Sequence, residues 1–120
     1  MNYIFQKIDF SYGTSNNPSY EYGVAYDSIP ENEKSLFQIA WSKWTVLEVQ
    51  NIIDKTKNLK GEDFFDYYVE YSELRISIDT EYALFFDWRT ETPDDDFRWI
   101  TTKFLEFMEA FKEFLESKGR

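Results

Sequence analysis

Carboxylates are the side chains present in numbers that could support acid–base or metal chemistry. The chain has 23 Asp and Glu against 13 Lys and Arg, with no histidine and no cysteine. That composition removes imidazole general bases, Ser–His–Asp and Cys–His catalysis, disulfides, and thiolate or imidazole metal sites. Asp94, Asp95 and Asp96 form the densest acidic run, and hard cations take oxygen ligands. A calcium loop alternates its ligands and needs glycine at its sixth position, whereas the sixth residue from Asp94 is Trp99. A helix start explains the run without a metal, and Asp94 could pair with Arg98 at i,i+4. The remaining route is a glycosidase-type pair, two acids about 5–10 Å apart with one kept protonated. No glycine-rich phosphate loop, nucleophile elbow or lysine nucleophile motif accompanies the acids. The expectation is a binding protein rather than an enzyme, with no cofactor and no metal.

The acids are unevenly placed. Residues 62–96 hold twelve acids and two bases, which matches the whole formal net charge of −10, while the flanking segments nearly balance. Such concentration suggests a directed electrostatic face. It argues against nucleic acid and anionic membrane as partners, since both are bound through Lys and Arg. Metal ions, small amines and basic proteins suit it better. The N-terminus lacks a basic segment followed by an apolar one, and no uncharged run is long enough to span a bilayer. A cytoplasmic location is therefore expected.

The elements that must position these residues can be read in outline. Length predicts one domain over residues 1–120. Tyr3–Tyr12 and Tyr20–Asp27 alternate as strands and suggest a hairpin with a long connection. Residues 28–34 read as a loop. Residues 35–41 fit a short buried strand or a helix start, and strand is the preferred reading. Thr45 and Glu48 have capping-box spacing, and Val46, Val49, Ile52, Ile53 and Leu59 recur at helical intervals up to Gly61, a natural C-cap. Three β-like runs follow: Asp66–Tyr71, Leu74–Ile78 and Tyr82–Trp88. The first two are either separate strands or one bent strand. Thr92 as N-cap, Pro93 and the three aspartates predict a helix start. Ile100, Phe104, Phe107, Phe111 and Phe114 form its apolar stripe to about Ser117. The fold class expected is α+β: an antiparallel or mixed sheet of five to six strands with two helices, one of them long, amphipathic and C-terminal.

In the central strands the more apolar parity is expected to face inward: Tyr67, Val69 and Tyr71, then Leu74, Ile76 and Ile78, then Leu84, Phe86 and Trp88. The opposite face then carries Asp66, Tyr68, Glu70, Arg75, Ser77, Asp79, Phe85, Asp87 and Arg89. Rings among carboxylates suit a protein interface, in which aromatics anchor and charges steer. Asp66, Tyr68, Glu70, Asp79, Phe85, Asp87, Glu91, Asp94, Asp95 and Asp96 are the candidate partner-binding residues.

The region from Tyr67 to Trp88 and the Asp94–Asp96 run give the chain a resemblance of type to bacterial immunity proteins, including those of contact-dependent growth inhibition. The resemblance implies a small acidic protein that neutralises a basic toxin, often a nuclease, by covering its surface. Two other readings use the same carboxylates: a divalent-cation or small-ligand module, and an acidic DNA-mimic adaptor.

Overall fold

A computed structural model describes residues 2–9, 20–89 and 93–120. The expected hairpin is present: β1 (Phe5–Asp9) pairs antiparallel with β2 (Tyr20–Val24). Its connection lies outside the described residues. β2 carries Gly23 where the backbone of residue 40 comes close, so that an added Cβ would lie 2.9 Å from the Ala40 Cα.

Residues 35–41 are not the strand expected. Glu31–Ile39 is a 3-10 segment, and only Trp41 bridges to Tyr22. Leu36 and Ile39, three residues apart, are both fully buried, and a three-residue turn stacks them on one side. α1 (Val46–Lys57) follows, with the Thr45 hydroxyl accepting the Glu48 N–H at 3.2 Å. It buries Val49, Ile52 and Ile53. Asn58 rather than Gly61 caps its end, and Gly61 supplies a positive φ of 58° in the turn beyond.

β3 (Phe64–Tyr68), β4 (Leu74–Asp79), β5 (Tyr82–Asp87) and β6 (Phe97–Ile100) form a second antiparallel sheet in that order. The class is thus α+β, with six strands among the described residues divided between a hairpin and a four-stranded sheet. The first two β-like runs are separate strands. The turn between them holds Tyr71 at φ 60°.

The helix start expected at residues 92–96 is corrected over residues 93–96, while Thr92 lies outside the described residues. Phe97–Ile100 is a strand, and α2 spans Thr101–Ser117. Phe97 and Trp99 are buried while Arg98 and Ile100 are exposed, the period-two pattern of a half-buried strand. The Phe97 ring stacks on Phe85 of β5 at 4.3 Å. That long-range pairing overrides a local capping pattern. Arg98 consequently pairs with Asp95 at 2.7 Å rather than with Asp94. From Phe104 onward the predicted stripe holds, with Phe104, Phe107, Met108, Phe111 and Leu115 buried. α2 fills the centre of the molecule. Phe107 meets Trp99 of the four-stranded sheet, and Phe111 stacks on Phe5 of the hairpin at 5.2 Å.

Candidate functional site

The inward face of the four-stranded sheet is Leu74, Ile76, Ile78, Ala83, Phe85, Phe97 and Trp99, all buried. Register then defines the outward face. Tyr68, Arg75 and Phe86 lie in one row, and Asp66, Ser77, Leu84 and Arg98 in the next. Trp88 extends the same side of β5, its ring 6.4 Å from that of Tyr68. Phe64, Tyr68, Trp88 and Ile100 are 55–66% exposed. The Arg75 guanidinium lies over the Phe86 ring at 4.2 Å. Such a contact keeps a cation on the face while covering an apolar side chain.

This placement reverses the expected orientation of β5. Ala83, Phe85 and Asp87 point inward, and Tyr82, Leu84, Phe86 and Trp88 point outward. Phe85 is fully buried, so it does not belong to the outer face. Asp87, 6% exposed, does not belong there either. Its carboxylate accepts hydrogen bonds from Gln38 Nε2 at 2.8 Å and from the Arg89 guanidinium at 2.8–3.2 Å. The Arg89 bonds hold its pKa below the ordinary aspartate value, against the upward pull of burial. Burying a carboxylate is tolerable only with such partners, and these bonds tie the end of β5 to the Glu31–Ile39 segment.

The other candidate residues separate as follows. Asp66 and Tyr68 are exposed on β3, and Glu70 is exposed in the turn after it. Asp79 is half-buried and accepts the N–H groups of Glu81 and Tyr82, closing the β4–β5 turn. Asp95 is held low in pKa by its hydrogen bonds from Arg98. Asp94 is exposed and Asp96 half-buried. The Asp96 N–H bonds to the Phe85 carbonyl at 2.8 Å and extends the β5–β6 pairing. Glu91 lies outside the described residues. Apart from Asp66, which lies between Phe64 and Tyr68 on β3, the acids frame the rings. Glu62, Asp63, Asp79 and Glu81 sit at one end of the sheet and Glu70 and Glu73 at the other, with Asp66 on the β3 edge. Exposed rings beside an arginine, with carboxylates at both ends of the sheet, are the side chains that protein interfaces favour.

Phe64, Tyr71 and Trp88 belong to the exposed set but are absent from the sequence-based candidates. Tyr71 is 89% exposed and Trp88 61%. The apolar parity of Tyr82–Trp88 points to the wrong side, because Asp87 is the charged member of the buried set. Only its partners at Gln38 and Arg89 reveal why it can lie inside.

Among the described residues no three carboxylates come together to hold a metal ion. No helix among them is long and apolar enough to cross a membrane. No protein-family model, curated protein or solved structure matches the chain. The fold and the site together describe a small α+β domain that presents one aromatic, acid-rimmed sheet face.

Proposed function

We propose that the protein is a stoichiometric inhibitor that binds a basic partner protein through the outer face of its four-stranded sheet. A toxin domain with nuclease activity is the partner class, in keeping with the resemblance to immunity proteins. One observation carries the reading: β5 turns its more apolar parity, Leu84, Phe86 and Trp88, away from the core and keeps Asp87 inside. A strand oriented for its own burial would do the reverse. Local rules fail most often at functional sites, and an exposed apolar patch with a polar rim is a mark of partner binding. Tyr68, Trp88 and Tyr71 would anchor the contact, and Asp66, Glu70 and Glu73 would steer a cationic surface toward it. The chain does no chemistry in this reading. It acts by occupying its partner's surface.

The test is affinity capture from the native host with the wild-type chain and with a Tyr68→Ala, Trp88→Ala double variant. A single basic protein retained by the wild type at low salt, released at high salt and lost with the double variant supports the reading. Retention undiminished by the double variant overturns it. A captured protein that binds nucleic acid but is no toxin would shift the function from immunity to mimicry on the same face.

A further inference from the structure

β3 ends the four-stranded sheet, with β4 on one side and no strand among the described residues on the other. The Val69 N–H donates to the Leu74 carbonyl at 3.1 Å, and the register continues in step from Tyr68 opposite Arg75 to Phe64 opposite Asp79. The alternation of an antiparallel ladder turns the backbone groups of Phe65 and Tyr67 toward β4. Those of Phe64, Asp66 and Tyr68 then point to the open edge. Such an edge is a template for another extended chain.

This edge borders a groove. A cleft of about 660 Å³ lies between α1 and β3. Its lining includes the consecutive residues Phe65, Asp66 and Tyr67, although neighbours in a strand point to opposite faces. A single cleft meeting all three runs along the strand edge. Opposite them α1 contributes Glu48, Asp54 and Lys55. The lining thus carries three acidic residues, Glu48, Asp54 and Asp66, against one basic residue, Lys55. The Tyr67 hydroxyl donates to Glu48 Oε1 at 3.1 Å and fixes that carboxylate in place.

We propose that the groove between α1 and the free edge of β3 binds an extended, basic peptide segment, which joins the sheet as a fifth strand. The open backbone groups require an extended chain, because only a strand presents donors and acceptors at matching intervals. The carboxylates select Lys or Arg at alternate positions of that chain. The formal net charge of −10 disfavours a second copy of this chain as the occupant. The groove meets the aromatic outer face at Asp66, while Glu48, Asp54, Lys55, Phe65 and Tyr67 line it away from that face.

The probe is a displayed library of random peptides about eight residues long, enough to cover a strand, selected on the 120-residue chain. The recovered peptide is then titrated into the isotope-labelled protein. The expected peptides alternate basic residues and shift the amides of Phe64, Asp66, Tyr68, Asn51 and Lys55. Methylating the backbone nitrogens on the peptide's pairing side should weaken binding at least about tenfold, through loss of two or more net hydrogen bonds. Glu48→Gln with Asp54→Asn should weaken it several-fold and leave the fold intact. Any of four results would overturn the proposal: no peptide is recovered, methylation has no effect, the shifts fall on Phe86 and Trp88 instead, or the free protein sediments as a dimer paired through β3. Shifts at Phe86 and Trp88 would leave the outer-face reading standing while removing this one.

Discussion

Replacing Tyr71 by glycine should stabilise the fold and abolish partner binding. The N–H of Ser72 donates to the Val69 carbonyl at 3.2 Å, which closes a four-residue turn with Tyr71 at its third position. Tyr71 is the one described non-glycine residue with positive φ, at 60°, so the turn is of the type that calls for glycine there. The left-handed conformation costs an L-residue about 1–2 kcal/mol. Glycine returns about 0.5–1 kcal/mol of this through the greater freedom of its unfolded chain. The side chain is 89% exposed, so little burial is lost with it. The net gain is about 0.5–1 kcal/mol. With an unfolding entropy of about 0.25 kcal/mol/K for 120 residues, Tm should rise by about 2–4 °C. Tyr71→Ala removes the ring but keeps the backbone strain, so it should stay near wild type. Urea melts of the three proteins give the comparison. If glycine is no more stable than alanine, the strain assigned to this turn is wrong. If both variants bind the captured partner as well as wild type, Tyr71 is not an anchor.

Three further outcomes follow from the contacts described. Asp66→Lys with Glu70→Lys should slow association with a basic partner by roughly tenfold at low salt, a difference that closes as ionic strength rises; stopped-flow mixing over a salt series measures it. Arg89→Ala should destabilise by about 1–2 kcal/mol at neutral pH, a moderate value because the Arg89 side chain is 64% exposed and Gln38 still serves Asp87. The folded-state pKa of Asp87 lies below its ordinary value, so the pair's contribution is full above about pH 4 and fades as pH falls through the folded pKa. Denaturant melts of both proteins over a pH series should therefore draw together as pH falls below about 4. Gly23→Ala should lose about 1–3 kcal/mol, because its Cβ would meet the Ala40 backbone at 2.9 Å; thermal unfolding detects this, and an unchanged Tm would mean that residue 40 yields freely.

Features set by neighbouring residues were legible in the sequence. Thr45 and Glu48 announce α1, and the α2 stripe from Phe104 to Leu115 follows helical spacing. The alternation of Leu74, Ile76 and Ile78 identifies the buried side of β4. Features decided by distant partners were not. Thr92–Asp96 has every local mark of a helix start, yet Phe97 and Trp99 are drawn into a strand by β5. The parity of β5 reads the wrong way from the sequence because Asp87 is made tolerable inside by residues 2 and 49 positions away. The site inherits the same division. Asp66, Tyr68 and Glu70 could be placed outward from the sequence, while Trp88 required the structure.

The most direct test of the outer face measures what it does to its partner. The catalytic or toxic activity of the captured basic protein is titrated with the wild-type chain and with the Tyr68→Ala, Trp88→Ala variant, after melts have shown that both are folded. The account predicts that the wild type abolishes the activity at stoichiometric ratio and that the variant fails to do so until present in large excess. Equal inhibition by both proteins would contradict it and move the interface away from this face of the sheet.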